Sequence, residues 1–391
     1  MGVSPCGPPS PRRRDELAAA AELGALFVDV LSRPVQGTQR VIAGHVFRAL
    51  GPVASPVRRV HDALADAGYA GIRAGARALA RVIGAGSSLL APERTAHAVT
   101  STAAGSVVVG AVNGLLGDHL LADGNHLAVH LGPHHQRKVV GAEAALLALA
   151  HPDPARHVIV FVHGLGETEQ AWWYHHDGRG SHGEHLATLD ASPVMLRYNS
   201  GRPVADNGGE LARLMAVLVR TWPVPVERID LVGHSMGGLV LRDACSRTDA
   251  ASWLPLVHTA AYLGTPHEGA PLARGAARLA SLLRWRPESR PWAELLELRS
   301  AGILDLERAH RLPLAPGVRH VAVAATLAAN PAAWWAGAVG DGLVSVASAK
   351  HTVAETHVVP ATGHLGLLTE PRVTAILTEL ATWARPPELA R

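Results

Sequence analysis

The chain has 391 residues, 48% of them hydrophobic and 18% charged, a balance that excludes a mostly disordered protein and predicts a large core domain with an appendage. Its formal charge of +3 is too small for a nucleic-acid footprint, and lysine occurs only at Lys138 and Lys350, so arginine supplies nearly all of the basicity. Two cysteines, Cys6 and Cys245, exclude a disulfide framework or a metal site built on thiolates.

The first 25 residues are rich in Pro, Arg and small residues without periodicity, which predicts a disordered tail. Arginines precede a small-residue stretch there, but Glu16, Glu22 and Asp29 interrupt it, so no signal peptide is expected and the location reads as cytoplasmic. Residues 26–150 are expected to be helical: Val57, Val60, Leu64, Ala67, Gly71, Gly75, Leu79 and Val82 recur every three or four positions on one face. Arg73, Arg77 and Arg81 lie opposite. Such a row is most often a solvated helix face. The alternative is a peripheral membrane contact in which the row meets acidic lipid headgroups. Gly71 and Gly75 would let another helix approach. The apolar window "AAGSVVVGAVNGLLG" (103–117) is too short to cross a bilayer, contains Asn113 and predicts a buried helix.

The pattern changes near residue 156. "HVIVFVHG", "SPVMLRY", "IDLVGHS", "LVHTAAYLGTP", "VRHVAVAAT" and "THVVPAT" are short apolar runs ending in Gly, Ser, Thr or Pro, and they read as strands buried on both faces. "NGGELARLMAVLVRTW", "GGLVLRDACSR" and "PRVTAILTELATWA" read as helices between or after them. This alternation predicts an α/β domain over residues 151–391, a mainly parallel sheet flanked by helices, with its chemistry in the loops after the carboxyl ends of the strands.

One such loop holds Gly233-His234-Ser235-Met236-Gly237, between the strand "IDLVGH" and the helix "GGLVLRDAC". A serine at a strand-to-helix turn takes strained backbone geometry, tolerated only where the residues two before and two after lack a Cβ. Ser235 is the candidate nucleophile. An oxyanion formed by its attack needs two positioned N–H groups. Leu165, in "FVHGLGETEQAWW", and Met236, next after the serine, are the candidates. The serine also needs a base and the base an acid. His364 follows the last strand between Gly363 and Gly366, and Asp341 lies 23 residues upstream in "GDGLVSVAS". The chain order Ser235, Asp341, His364 is the order that such sheets use.

On these motifs, residues 156–386 resemble the α/β-hydrolase superfamily and, within it, the bacterial lipases and esterases: "HGLG", "GHSMGG", "LGTPHEGAP", "DGLV" and "GHLGLL" are similar to their oxyanion loop, nucleophile elbow, sixth-strand end, acid loop and histidine loop. "LRYNSGR" and "LRSAGILDL" are more loosely similar to an actinobacterial branch that resembles GPI inositol-deacylases. The resemblance implies Ser235 as nucleophile, His364 as base, Asp341 as acid, Leu165 and Met236 as oxyanion donors, and no cofactor. It also implies a lid or cap over residues 267–316. One position departs from it: Glu167 stands where many lipases have a second glycine.

Trp172, Trp173, Trp334 and Trp335 flank the oxyanion and acid loops, where they would line an acyl pocket or pack in the core. His175, His176, Asp177, His182 and His185 match no metal signature, so no metal is expected. His267 and Glu268 read as accessory, and Asp305 as a rival acid placed unfavourably in the cap. The expected activity is hydrolysis of carboxylic esters, with an ester or lipid-like small molecule as partner. An acyltransferase using the same three residues, or a catalytically silent binding protein on this fold, are the alternatives.

Overall fold

The computed structural model describes residues 13–49, 51–90, 102–135, 138–173, 180–270, 290, 299–310, 312–350 and 353–384. Helix α1 (Arg13–Ala49) starts inside the stretch expected to be disordered. The reason is local: "DELAAAAEL" is dense in strong helix formers. Helix α2 (Ser55–Leu90) returns antiparallel to α1, with Phe47 stacked edge-on against His61 near the turn and Asp29 reaching Arg73 further along.

The hairpin reverses the expected orientation of the arginine row. Arg73 and Arg77 turn toward Asp29 of α1, at 3.7 and 3.6 Å, while Val57, Leu64 and Val82 on the apolar face are exposed. No described residue comes within 4 Å of a Cβ built at Gly71 or Gly75. Helix α3 (Ala103–Ala122) is capped by Thr102, whose hydroxyl accepts the Gly105 N–H. Its span Gly105–Ala122 is long and apolar enough to cross a membrane by length and composition, yet Ser106, Val109, Asn113 and Leu120 are buried against the body.

Two strands interrupt the region expected to be helical, β1 (Gly132–His135) and β2 (Lys138–Val139). They pair antiparallel, and β1 also lies antiparallel to β4 (Ala191–Arg197) and extends the sheet at that edge. A segment opening on Gly-Pro carries neither helical period nor alternation, so tertiary pairing alone makes it a strand. The short helix α4 (Ala144–Ala150) then leads into β3 (His157–Val162).

The sheet has eight strands in the order β2-β1-β4-β3-β5-β6-β7-β8, with β4 (Ala191–Arg197), β3, β5 (Arg228–His234), β6 (Val257–Leu263), β7 (Arg319–Ala325) and β8 (Glu355–Val359) parallel. Along β3 the side chains alternate between two core layers. Val158, Val160 and Val162 join Leu211 and Met215 of α6 (Val204–Thr221) and Leu239 and Val240 of α7 (Met236–Cys245). Ile159 and Phe161 join Leu186 of α5 (His182–Ala187) and Val373, Leu377 and Leu380 of the last helix (Pro371–Thr382). Helices thus cover both faces, as the apolar runs require. This is the α/β-hydrolase fold, carrying an additional helical N-terminal region.

Most of the expected lid lies outside the described residues. Its described end is anchored: Ser300 Oγ donates to the Gly114 carbonyl at 2.6 Å and caps the short helix α8 (Ala301–Asp305), and Asp305 accepts the Val204 N–H at 2.8 Å. Held at the start of α6, the Asp305 carboxylate has no role as the catalytic acid. His175, His176 and Asp177 also fall outside the described residues, and His182 bonds Thr374 Oγ1 and the Leu367 carbonyl, a packing role between α5 and the last helix.

Candidate active site

Ser235 sits between β5 and α7 with φ 52° and ψ −122°, a left-handed backbone that a non-glycine residue adopts only where its surroundings enforce it. Its N–H donates to the Leu263 carbonyl at 2.8 Å, which fixes the turn to the end of β6. A Cβ at Gly233 would lie 2.6 Å from the Gly238 nitrogen, and one at Gly237 would collide with the Val162 and His163 carbonyls. Both glycines are therefore required by the bend itself.

Asp341 follows β7 and a loop that includes helix α9 (Ala336–Val339), and His364 follows β8. His364 Nδ1 and Asp341 Oδ2 are 2.7 Å apart, both side chains buried. The other carboxylate oxygen accepts the N–H groups of Leu343 and Val344 at 2.9 and 2.8 Å, so the acid is held from two sides. A carboxylate facing Nδ1 places the ring proton there and leaves Nε2 free to take one. The ring of His234, the neighbour of Ser235, is 4.7 Å from that of His364. A Cβ at Gly264, just past β6, would sit 3.1 Å from both Asp341 Oδ2 and His364 Nδ1. The structure thus brings Ser235, Asp341 and His364 to one rim of the sheet, at the ends of β5, β7 and β8.

The loop after β3, the candidate oxyanion loop, is braced by the residue that departs from the lipase pattern. Glu167 accepts the Gly164 N–H at 2.7 Å and pairs with His234 Nδ1 at 2.9 Å. His234 Nε2 lies 3.2 Å from the His364 carbonyl. Burial disfavours the charged form of each partner, but their mutual attraction outweighs it: Glu167 is held below the usual glutamate range and His234 above the usual histidine value. A charged His234 donates from both ring nitrogens, linking the oxyanion loop, the elbow and the histidine loop. Sequence reading missed this pair. Its only signal was the glutamate in place of glycine.

His163 takes no part as a titrating group. Burial pushes it down to about 4, and its Nε2 accepts the Tyr198 N–H at 3.2 Å while its Nδ1 faces the Gly164 carbonyl at 2.9 Å. Behind the loop stands α3. A Cβ at Gly110 would lie 2.8 Å from the Gly166 carbonyl oxygen, and one at Gly114 2.7 Å from the Gly166 Cα. The Gly166 N–H donates to Ser200 Oγ at 3.0 Å. Ser106 on α3 bonds Thr168 Oγ1 and Arg197, whose partner is the buried Glu169.

Trp172 and Trp173 belong to the core rather than to the rim. Trp172 is fully buried against Phe161, with ring centroids 4.9 Å apart, and Trp173 packs on the same core layer. Trp334 is 94% exposed, and Trp335 is partly exposed. His267 is buried against Arg242, with its Nδ1 2.9 Å from the guanidinium.

Residues 208–283 match the family model described as "PGAP1-like alpha/beta domain", a span running from α6 through the elbow and past β6. No curated protein matches the chain. Among solved structures the chain is similar to the mature lipase BlEst2 of Bacillus licheniformis, with 22% identity, a TM-score of 0.44 and coverage of 60% of this chain and 95% of that one. It is also similar to the carboxylesterase CesB of Bacillus subtilis, with 12% identity, a TM-score of 0.35 and coverage of 59% and 84%. A third is the lipase-esterase related protein of Clostridium acetobutylicum, with 16% identity, a TM-score of 0.35 and coverage of 58% and 95%. Residue roles rest on the geometry of this chain.

Proposed function

We propose that this protein is a serine hydrolase of carboxylic esters. The observation that carries the reading is the 2.7 Å contact between His364 and Asp341, formed beside a strained serine at a strand-to-helix turn. In the proposed reaction His364 Nε2 takes the Ser235 proton as Oγ attacks the ester carbonyl, and Asp341 stabilises the imidazolium. The N–H groups of Leu165 and Met236 receive the oxyanion. Met236 opens α7, so its N–H has no acceptor within that helix, and no described residue accepts from Leu165. The tetrahedral species collapses with the alcohol leaving on the imidazolium's proton, and water then attacks the acyl-enzyme, with His364 again as base, to release the acid.

Apolar side chains around this rim favour an ester with an aliphatic acyl chain. Leu365 adjoins His364 and is 64% exposed; Leu343 lies two residues past Asp341, and Leu327 approaches Gly342 and Gly363. Exposed leucines clustered at a polar site mark a binding surface for apolar groups. A series of p-nitrophenyl esters of increasing chain length tests both points. Hydrolysis is expected to rise with chain length and to fall on the order of 10⁴-fold or more in Ser235→Ala. Equal turnover by wild type and Ser235→Ala would refute the reading.

A further inference from the structure

In the α1–α2 hairpin polar contacts join the described residues of the two helices, while the aliphatic stripe of α2 faces outward. Its helices meet through polar groups: Asp66 accepts from Gln36 Nε2 at 2.8 Å and from Arg40 Nε at 3.0 Å, Arg73 donates to Gln36 Oε1 at 2.8 Å, and Asp29 pairs with Arg73 and Arg77. Among the described side chains of the hairpin, the buried apolar ones are small: Ala25, Pro34, Ala43 and Ala80. The opposite face of α2 presents Val57, Val60, Leu64, Ile72, Leu79 and Val82, each between 55% and 69% exposed. A surface helix in water turns such a stripe toward its neighbour and its charges outward. The reverse, polar groups paired within and aliphatic groups without, suits an apolar surrounding.

Charge identifies that surrounding. Residues 13–90 hold ten arginines against six aspartates and glutamates, an excess of four in a chain whose whole formal charge is +3, so the remainder is slightly acidic. By the helical period Arg58, which pairs with Asp62 of its own helix at 3.4 Å, and Arg81 border the aliphatic stripe on its two sides, and Arg81 is exposed with no carboxylate partner among the described residues. An aliphatic stripe edged by arginine on a helix of low mean hydropathy is the pattern of a helix lying in a headgroup layer, held by buried area and by anionic lipid together. A second copy docked on the same face would oppose arginine with arginine.

We infer that the outward face of α2 docks on the surface of an anionic lipid bilayer, with the helix lying in the plane of the boundary between headgroups and acyl chains. The inference stands apart from the hydrolase reading and is tested without it. The full chain is sedimented with vesicles of phosphatidylcholine, with and without a third of phosphatidylglycerol, beside the double variant Leu64→Glu, Leu79→Glu, whose fold is checked by circular dichroism. Wild type is expected to sediment with the anionic vesicles, less so as salt is raised, and the variant to bind at least tenfold more weakly with an unchanged spectrum. Three results would each overturn the inference. These are a wild type that stays in the supernatant, equal binding to both vesicle types, or a wild-type dimer in solution that the double variant dissociates.

Discussion

The sheet domain and the N-terminal hairpin handle charge in opposite ways. In the sheet domain apolar side chains fill both core layers, and two buried ion pairs, Arg197 with Glu169 and His234 with Glu167, each fix a loop at the rim. In the hairpin ion pairs bridge the two helices while the aliphatic stripe of α2 faces out. A helical period identifies two faces without saying which one turns inward. That choice belongs to whatever lies beside the helix.

The contrast can be broken most strongly at the rim. Asp341→Asn leaves His364 without the acceptor that fixes its ring proton, and kcat is expected to fall on the order of 10³–10⁴-fold in steady-state ester hydrolysis. Glu167→Gln leaves His234 buried without its counter-charge. A loss of about 3 kcal/mol in denaturant unfolding is expected, with kcat falling more than KM changes, and an unchanged unfolding midpoint would remove the pair from the account.

Gly110→Val pushes a side chain into the Gly166 and Glu167 carbonyls. It is expected to cost about 1–3 kcal/mol and to lower kcat, because α3 backs the oxyanion loop. Acid should act next. His134, His151 and His163 are each pushed down to about 4, in every case chiefly by burial, whereas the unfolded chain takes up these protons near the ordinary value of 6.5. Their contribution is complete above about pH 6.5 and is lost as pH falls toward 4. His234 has the opposite sign: raised by Glu167 against its burial, it contributes below 6.5 and is lost as pH climbs through its native value. Burial also lowers His135, His182 and His320, so the depressed histidines outnumber the raised one, and a melting temperature several degrees lower at pH 5 than at pH 7.5 is expected. The smallest effect is expected in the hairpin, where Leu64→Glu at an exposed site should change unfolding by no more than about 0.5 kcal/mol.

What the sequence made legible was what local sterics and strand ends determine. The bend at Ser235 follows from Gly233 and Gly237, and the doubly buried strands follow from apolar runs such as "HVIVFV". Distant partners were not legible. Trp172 looked like a pocket residue because it follows the oxyanion loop, but Phe161 draws it into the core. β1 and β2 exist because β4 offers an edge. Glu167 and His234 find each other across 67 residues, and no spacing rule announces that contact.

The proposed hydrolysis depends above all on Ser235 being an activated nucleophile at the meeting point of three strand ends. Incubating the folded protein with a fluorophosphonate and mapping the adduct by mass spectrometry tests this directly. One adduct is expected, on the peptide carrying Ser235, and none in Ser235→Ala. An unlabelled wild type, or an adduct that persists at another residue in Ser235→Ala, would contradict the proposal.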